Sequence, residues 1–258
     1  MIYLENEILE KVGYVIPIGD LHLGDKSFTK QSEEKLKGYI DWVKNRKEAR
    51  IILMGDIFNT ATRISKTPPF EQTDRIEEKA IELFSPVKDK IVVALDGNHE
   101  QRLIDFANYS IMNSFCRALN IKYGGISCVI NFKVNRRNRK TKGGIWKQQY
   151  KFYAHHTCGG GGTVGGKMNR VDKLRQMIAN ADCYLGGHNH MLGVIPVSTG
   201  IIDAKEKRVF YPRQWLVDCG SYLEWENSYA EKGQLSPNKL GSPRIRLDGL
   251  KHDLHISL

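Results

Sequence analysis

The sequence predicts an α/β layered fold. Three observations carry that expectation. Short β-branched apolar runs recur along the chain, each run stops at a glycine or at a polar donor, and segments of helical periodicity lie between them. Strands alternating with helices build sheets covered by helices, with ligands held in the loops at the carboxyl ends of strands.

The elements come in order. Tyr14-Val15-Ile16-Pro17-Ile18 reads as a buried strand and runs into Gly19-Asp20-Leu21-His22. A helix is predicted over 30–48, where Leu36, Ile40 and Val43 fall at i, i+4 and i+7 on one face. Ile51-Ile52-Leu53-Met54 is the next strand and ends at Gly55-Asp56. Residues 60–70, with Pro68-Pro69, read as an exposed loop. A helix over 71–86 precedes the strand Ile91-Val92-Val93-Ala94-Leu95, which leads through Asp96 into Gly97-Asn98-His99-Glu100. Helical pattern returns over 101–119 and 168–180. Lys151-Phe152-Tyr153-Ala154 leads into His155-His156, and Cys183-Tyr184-Leu185 into Gly186-Gly187-His188-Asn189-His190. The glycine before most of these donors predicts a sharp turn there.

Composition narrows the class. A chain of 258 residues buries a large core and is read as one domain over 1–258. No apolar run reaches 18 residues, so no membrane span is expected. The N-terminus lacks a basic segment ahead of an apolar core, so a cytoplasmic location is expected. Five widely spaced cysteines without a CxxC argue against a disulfide framework or a zinc knuckle. The formal charge of +10, from 39 Lys and Arg against 29 Asp and Glu, favours polyanionic partners such as nucleic acid.

The donors carry the chemistry. Asp20 and His22 stand two apart past a strand end, a spacing that can aim a carboxylate and an imidazole at one cation. His188 and His190 repeat it with two imidazoles. Gly97-Asn98-His99-Glu100 pairs an amide donor with a neighbouring imidazole that can act as an acid. Singly each motif is an ordinary turn. Together, in order and each at the end of an apolar run, hard oxygen and imidazole donors can build a two-metal site, which suits attack on phosphate esters.

This ordered set, Asp-x-His, Gly-Asp, Gly-Asn-His-Glu, a later His and Gly-His-x-His over residues 16–190, resembles the calcineurin-like metallophosphoesterases. The glycine-rich run from His156 through Thr163, Gly166 and Asn169 is similar to a phage and prophage-type subgroup. The resemblance implies a four-layer αββα fold, a β-sandwich flanked by helices. It implies two divalent metal ions, with Mn the working assumption and Fe, Zn or Ni as alternatives. One position would take Asp20, His22 and His190, the other Asn98, His156 and His188, and Asp56 would bridge both. It implies hydrolysis by a metal-bridging hydroxide, with His99 protonating the leaving oxygen. Either ring of His155-His156 could serve as ligand; the glycine-rich run aligns better with His156.

The sequence also departs from the pattern. Where the phosphoprotein phosphatase branch places Asp-Arg after the bridging Asp, this chain has Asn59 and Thr60. Asp96 replaces the arginine before Gly-Asn-His-Glu. The phosphate-clamping arginines are therefore missing from those places. Asn59 can orient His99 through a hydrogen bond. Arg102 is a candidate substitute clamp or a solvated helix-face arginine.

Residues 131–151 carry eight cations and no acid, and read as a hairpin-like insertion with a basic tip around Gly143-Gly144. It is either a solvated surface or a ridge that tracks phosphates, with Trp146 and Tyr150 for stacking. The Gly159–Gly166 run either cradles a phosphate through backbone N–H groups or lets the chain pass close to the metals. The expected function is hydrolysis of phosphodiesters of nucleic acid or a nucleotide-derived substrate. The alternatives are a phosphomonoesterase on a small ester or phosphoprotein, and a non-catalytic nucleic-acid-binding module.

Overall fold

The computed structural model describes residues 1–60, 71–136, 145–159, 161–226, 228, 231 and 236–258. Two sheets lie face to face. The first contains β1 (Ile2–Ile8), β5 (Ser127–Arg136), β6 (Trp146–His155), β7 (Cys183–Gly186), β8 (Leu192–Ser198) and β11 (Arg213–Cys219), in the order β1-β5-β6-β7-β11-β8. The second contains β2 (Val12–Ile18), β3 (Ala49–Leu53), β4 (Ile91–Ala94), β12 (Arg244–Asp248) and β13 (Leu254–Ser257), in the order β13-β12-β2-β3-β4. A separate two-stranded ribbon pairs β9 (Ile201–Asp203) with β10 (Arg208–Phe210).

Side-chain alternation builds three apolar layers. Val15 and Ile52 meet Ile130, Phe152, Leu185 and Val217 in the core between the sheets. Ile16, Ile18, Ile51 and Leu53 point the other way, onto helices α1 (Lys30–Lys44), α2 (Thr73–Phe84) and α4 (Ile111–Leu119). Tyr153, Tyr184 and Leu216 pack under Met168, Val171 and Leu174 of α5 (Val164–Met177). Helix, sheet, sheet, helix is the four-layer order, and burial on both faces explains why the inner strands are continuously apolar.

The helices differ from the expected bounds for local reasons. Leu36, Ile40 and Val43 are buried on α1 as the periodicity requires, and Thr29 caps its start. The 101–119 pattern is two helices. The first, α3 (Asn98–Ala107), begins three residues earlier, so Asn98-His99-Glu100 forms its first turn. It stops at Asn108, which is left-handed (φ 51°), and Ser110 then caps α4 by accepting from Asn113 N–H. Helix α5 starts at Val164 under a Thr163 cap, so Gly165 and Gly166 are helical and not loop.

Strands β5 and β6 pair antiparallel from Ser127 with His155 to Arg136 with Trp146. The expected basic tip, 137–144, and the loop 61–70 lie outside the described residues. The carboxyl ends of β2, β3 and β4 in one sheet, and of β6, β7 and β11 in the other, converge on one edge of the sandwich.

Candidate metal centre

At that edge the five donor loops meet. Backbone bonds lock the first two together: Asp20 N–H donates to Gly55 O at 3.0 Å, and Leu21 and His22 N–H both donate to Asp56 O at 2.9 Å. The sharp turns expected at the glycines fall mainly on the donors. Asp20, His22, Asp56, His188 and His190 have φ of 50°, 48°, 49°, 71° and 51°, while of the glycines just before them only Gly55 is left-handed. Asp and His tolerate this region better than branched residues do. The other glycines serve close approach. A Cβ on Gly97 would strike the Asp56 carboxylate and backbone N.

Two donor sets result. Asp20, His22 and His190 form one; Asp56, His156 and His188 form another, and in each the ligand atoms lie within 4.8 Å of one another. Asn98 Oδ1 joins the second set, 2.6 Å from His188 Nδ1 and 3.2 Å from His156 Nε2. Asp56 Oδ2 lies 3.3 Å from His156 Nε2 and 3.7 Å from His22 Nε2, so it stands between the sets. Of the adjacent pair, His156 faces the cluster. His155 turns away, and its Nδ1 accepts from Thr157 N–H at 2.7 Å.

These donors suit a divalent cation. His22 Nε2 and His190 Nε2 face each other at 3.2 Å, with Asp20 Oδ1 3.2 Å from the latter. Asp20 Oδ1 is buried without a hydrogen-bond donor. Convergent lone pairs of this kind repel unless a proton or a cation lies among them. Imidazole, carboxylate and amide without thiolate favour Mn²⁺, Fe²⁺ or Zn²⁺ over soft ions.

The crowding sets the electrostatics. Burial pushes the Asp56 carboxyl up, but His156, His22 and His99 outweigh it and hold it well below the usual range. Burial lowers His156, yet the charge of Asp56 and their hydrogen bond raise it to about 10. Burial, then the His99 charge, holds His22 well below its ordinary value. Burial also lowers His188 and His99; Asp56 opposes this at His99 and Arg102 adds to it.

His99 borders both His22 and Asp56. Its Nδ1 lies 3.1 Å from Asn59 Oδ1, and Asn59 Nδ2 donates to Asp25 Oδ2 at 3.2 Å. The carboxylate of Asp25 can accept only, so it fixes which way the Asn59 amide points. His99 Nδ1–H therefore donates to Asn59, and Nε2 is left toward the cavity. Thr60 donates its hydroxyl to the His99 carbonyl. Arg102 is partly buried on α3 and does not line the cavity at the donors.

That cavity, about 270 Å³, is lined by His22, Asp56, His99, His188 and His190 and reaches Gly159, Gly161 and Lys167. Three further residues support the site: Glu100, which stands in the Gly-Asn-His-Glu motif without an assigned role, and Asp218 and Lys167, which escape the motif reading. Glu100 is fully buried and accepts from Asp56, Phe58 and Gly97 N–H at 2.9, 3.0 and 2.7 Å. Asp218 accepts from Asn189 Nδ2 at 2.8 Å and steadies the His188-Asn189-His190 turn; burial raises its pKa well above normal. Its signal was present, since Trp215-Leu216-Val217 runs into Asp218 just as other strands run into donors. Lys167 carried no motif at all. Its ammonium pKa is lowered by burial, against the pull of Asp218.

The model for calcineurin-like phosphoesterases matches residues 14–192, the span that contains all five donor loops. The chain belongs to that family. Calcineurin-like phosphoesterases are metal-dependent hydrolases, and this chain is one of them. No curated protein matches it. Among solved structures it is similar to NAD nucleotidase of Haemophilus influenzae, at 9% identity and a TM-score of 0.40, over 96% of this chain and 49% of that one. The chain thus spans about half the length of that structure. Among the described residues no helix is long and apolar enough to cross a membrane.

Proposed function

We propose that this chain acts as a single-domain phosphodiesterase with two divalent ions, Mn²⁺ first among them, on nucleic acid or a nucleotide-derived ester. The observation that carries the reading is the place of Asp56 between two donor sets, 3.3 Å from His156 and 3.7 Å from His22. One ion would be held by Asp20, His22 and His190, the other by Asn98, His156 and His188, with Asp56 serving both. Such ions supply Lewis acidity and lower the pKa of water, the chemistry that phosphoester hydrolysis needs. Loading requires His156 to release a proton, so affinity for the ions is coupled to pH.

The protein residues supply the rest. As the imidazolium, with Nδ1–H held by Asn59, His99 presents Nε2–H to the leaving oxygen, delivers that proton as general acid and is left neutral. Asn59 and Asp25 hold its ring in that orientation. Glu100 fixes the backbone that carries Asp56, and Asp218 fixes the turn that carries His188 and His190. The basic composition and the absence of arginine at positions 60 and 96 favour a diester of a polyanion over a clamped phosphomonoester. The glycine-rich run past His156 extends the same reading to a phage-type enzyme working in a host cytoplasm. With Mn²⁺ added, bis-p-nitrophenyl phosphate is expected to turn over faster than p-nitrophenyl phosphate. The reverse preference would assign a phosphomonoesterase, and turnover of neither ester would remove the catalytic reading.

A further inference from the structure

Beside the metal cavity lies a second one, and the two share a wall made by His190 and Lys167. The second is lined further by Ser221, Trp225, Asn238 and Lys239. Lys167 sits in the first turn of α5 and is only 4% exposed. Among the described residues its ammonium has no hydrogen-bond or ion-pair partner. The side chain is held in the wall, feels the charge of Asp218, and borders both cavities, where its ammonium can give an arriving anion a charge-assisted hydrogen bond. Helix α5 is kept against the cavity by the glycine run: a Cβ on Gly161 would press on the Gly166 carbonyl carbon at 3.2 Å.

The positions where clamping arginines were expected do not serve that wall. Thr60 is committed to the His99 carbonyl, and Asp96 accepts from Tyr123 and Gln101. Arg102 stays off the cavity. We propose that Lys167 is the phosphate-positioning residue of this enzyme: its ammonium takes a non-bridging oxygen of the substrate phosphate at the junction of the two cavities. The assignment rests on the phosphoesterase reading and adds the group that orients the phosphate.

The test compares Lys167→Met, which keeps the stem, with Lys167→Arg, which keeps the charge. Inorganic phosphate is the probe. Its affinity for the manganese-loaded protein is read by melting shift and by competitive inhibition of bis-p-nitrophenyl phosphate turnover. Loss of one charge-assisted bond should weaken phosphate binding by ~10–100-fold in Lys167→Met. KM for the diester should rise, bound manganese should be unchanged by elemental analysis, and Lys167→Arg should recover most of the affinity. Wild-type phosphate affinity in Lys167→Met would overturn the proposal. So would loss of manganese in step with affinity, since Lys167 would then act through the scaffold. If wild type binds phosphate through Lys167 but turns over neither ester, the functional reading fails and the Lys167 assignment stands.

Discussion

Asp56 shows how much one residue is asked to do at this site. Its backbone is left-handed at φ 49°, its carbonyl accepts from Leu21 and His22 N–H, and its Oδ1 accepts from His99 N–H at 2.8 Å. Only Oδ2 turns to the imidazoles. Left-handed backbone at a non-glycine residue costs roughly 1–3 kcal/mol and persists only where neighbours over-determine it. Asp56→Asn keeps the size and removes the charge, so turnover should vanish and metal content fall. Elemental analysis that finds two ions in active Asp56→Asn protein would contradict a shared carboxylate. His99 is the contrasting case, because it borders the donors and its second nitrogen is held by Asn59. His99→Ala should retain metal and lose rate by ~10²–10⁴-fold on esters with poor leaving groups. The loss should shrink for p-nitrophenolate, which needs little protonation to depart. Equal losses on both ester types would give His99 a different role.

At the scale of the element, the first turn of α3 does the joining. Its Glu100 reaches back to Gly97 N–H and across to Asp56 and Phe58 N–H, so one carboxylate ties the exits of β3 and β4. Burial and the Asp56 charge push Glu100 up to about 8, while the N–H bonds pull down. Both oxygens already accept from N–H, so the site has room for acceptors only. Glu100→Gln would set an amide donor against a backbone donor. It should lower the free energy of unfolding by about 1–3 kcal/mol and reduce metal retention. Chemical denaturation should show a lower midpoint with an unchanged slope. A wild-type midpoint would mean that the three N–H groups find other acceptors.

At the scale of the whole molecule, the donor cluster and the Arg136–Trp146 end of β5 and β6 lie at opposite ends of one sheet. Strand β6 runs from Trp146, paired with Arg136, to His155 beside the cluster. Ten residues of strand span ~30 Å. A substrate that touches both ends must therefore be a polymer, and a small diester reaches the cluster alone. Replacing Arg136, Arg137 and Arg139 together with alanine should flatten the dependence of log K on log salt for duplex DNA by up to ~3 units. Turnover of bis-p-nitrophenyl phosphate should hardly change. Nucleic-acid affinity and salt slope equal to wild type would make the hairpin a solvated surface.

The sequence by itself determined the buried strands, because β2, β3, β4 and β7 are apolar on both faces and so stand out as short continuous runs. It determined the family too, since the donors come after those strands in a fixed order. It did not reveal the edge strands β1, β8 and β13, nor β12 beside β13, as such, although alternation was present at Ile245 and Leu247 and again in Ile2 and Leu4. Half-buried strands mix polar and apolar residues and resemble loops until a partner strand supplies the missing face. The break of 101–119 at Asn108 was equally hidden, because helical spacing continues through it. Only the tertiary structure decided that His156 and not His155 faces the cluster, that Asp25 orients Asn59, that Glu100 binds three N–H groups, and that Lys167 stands at the cavity wall. Those facts depend on which side chains cross from one sheet to the other. A linear pattern records only the order of residues along the chain, and the chemistry of this site is set by residues up to 170 positions apart that meet where two sheets end.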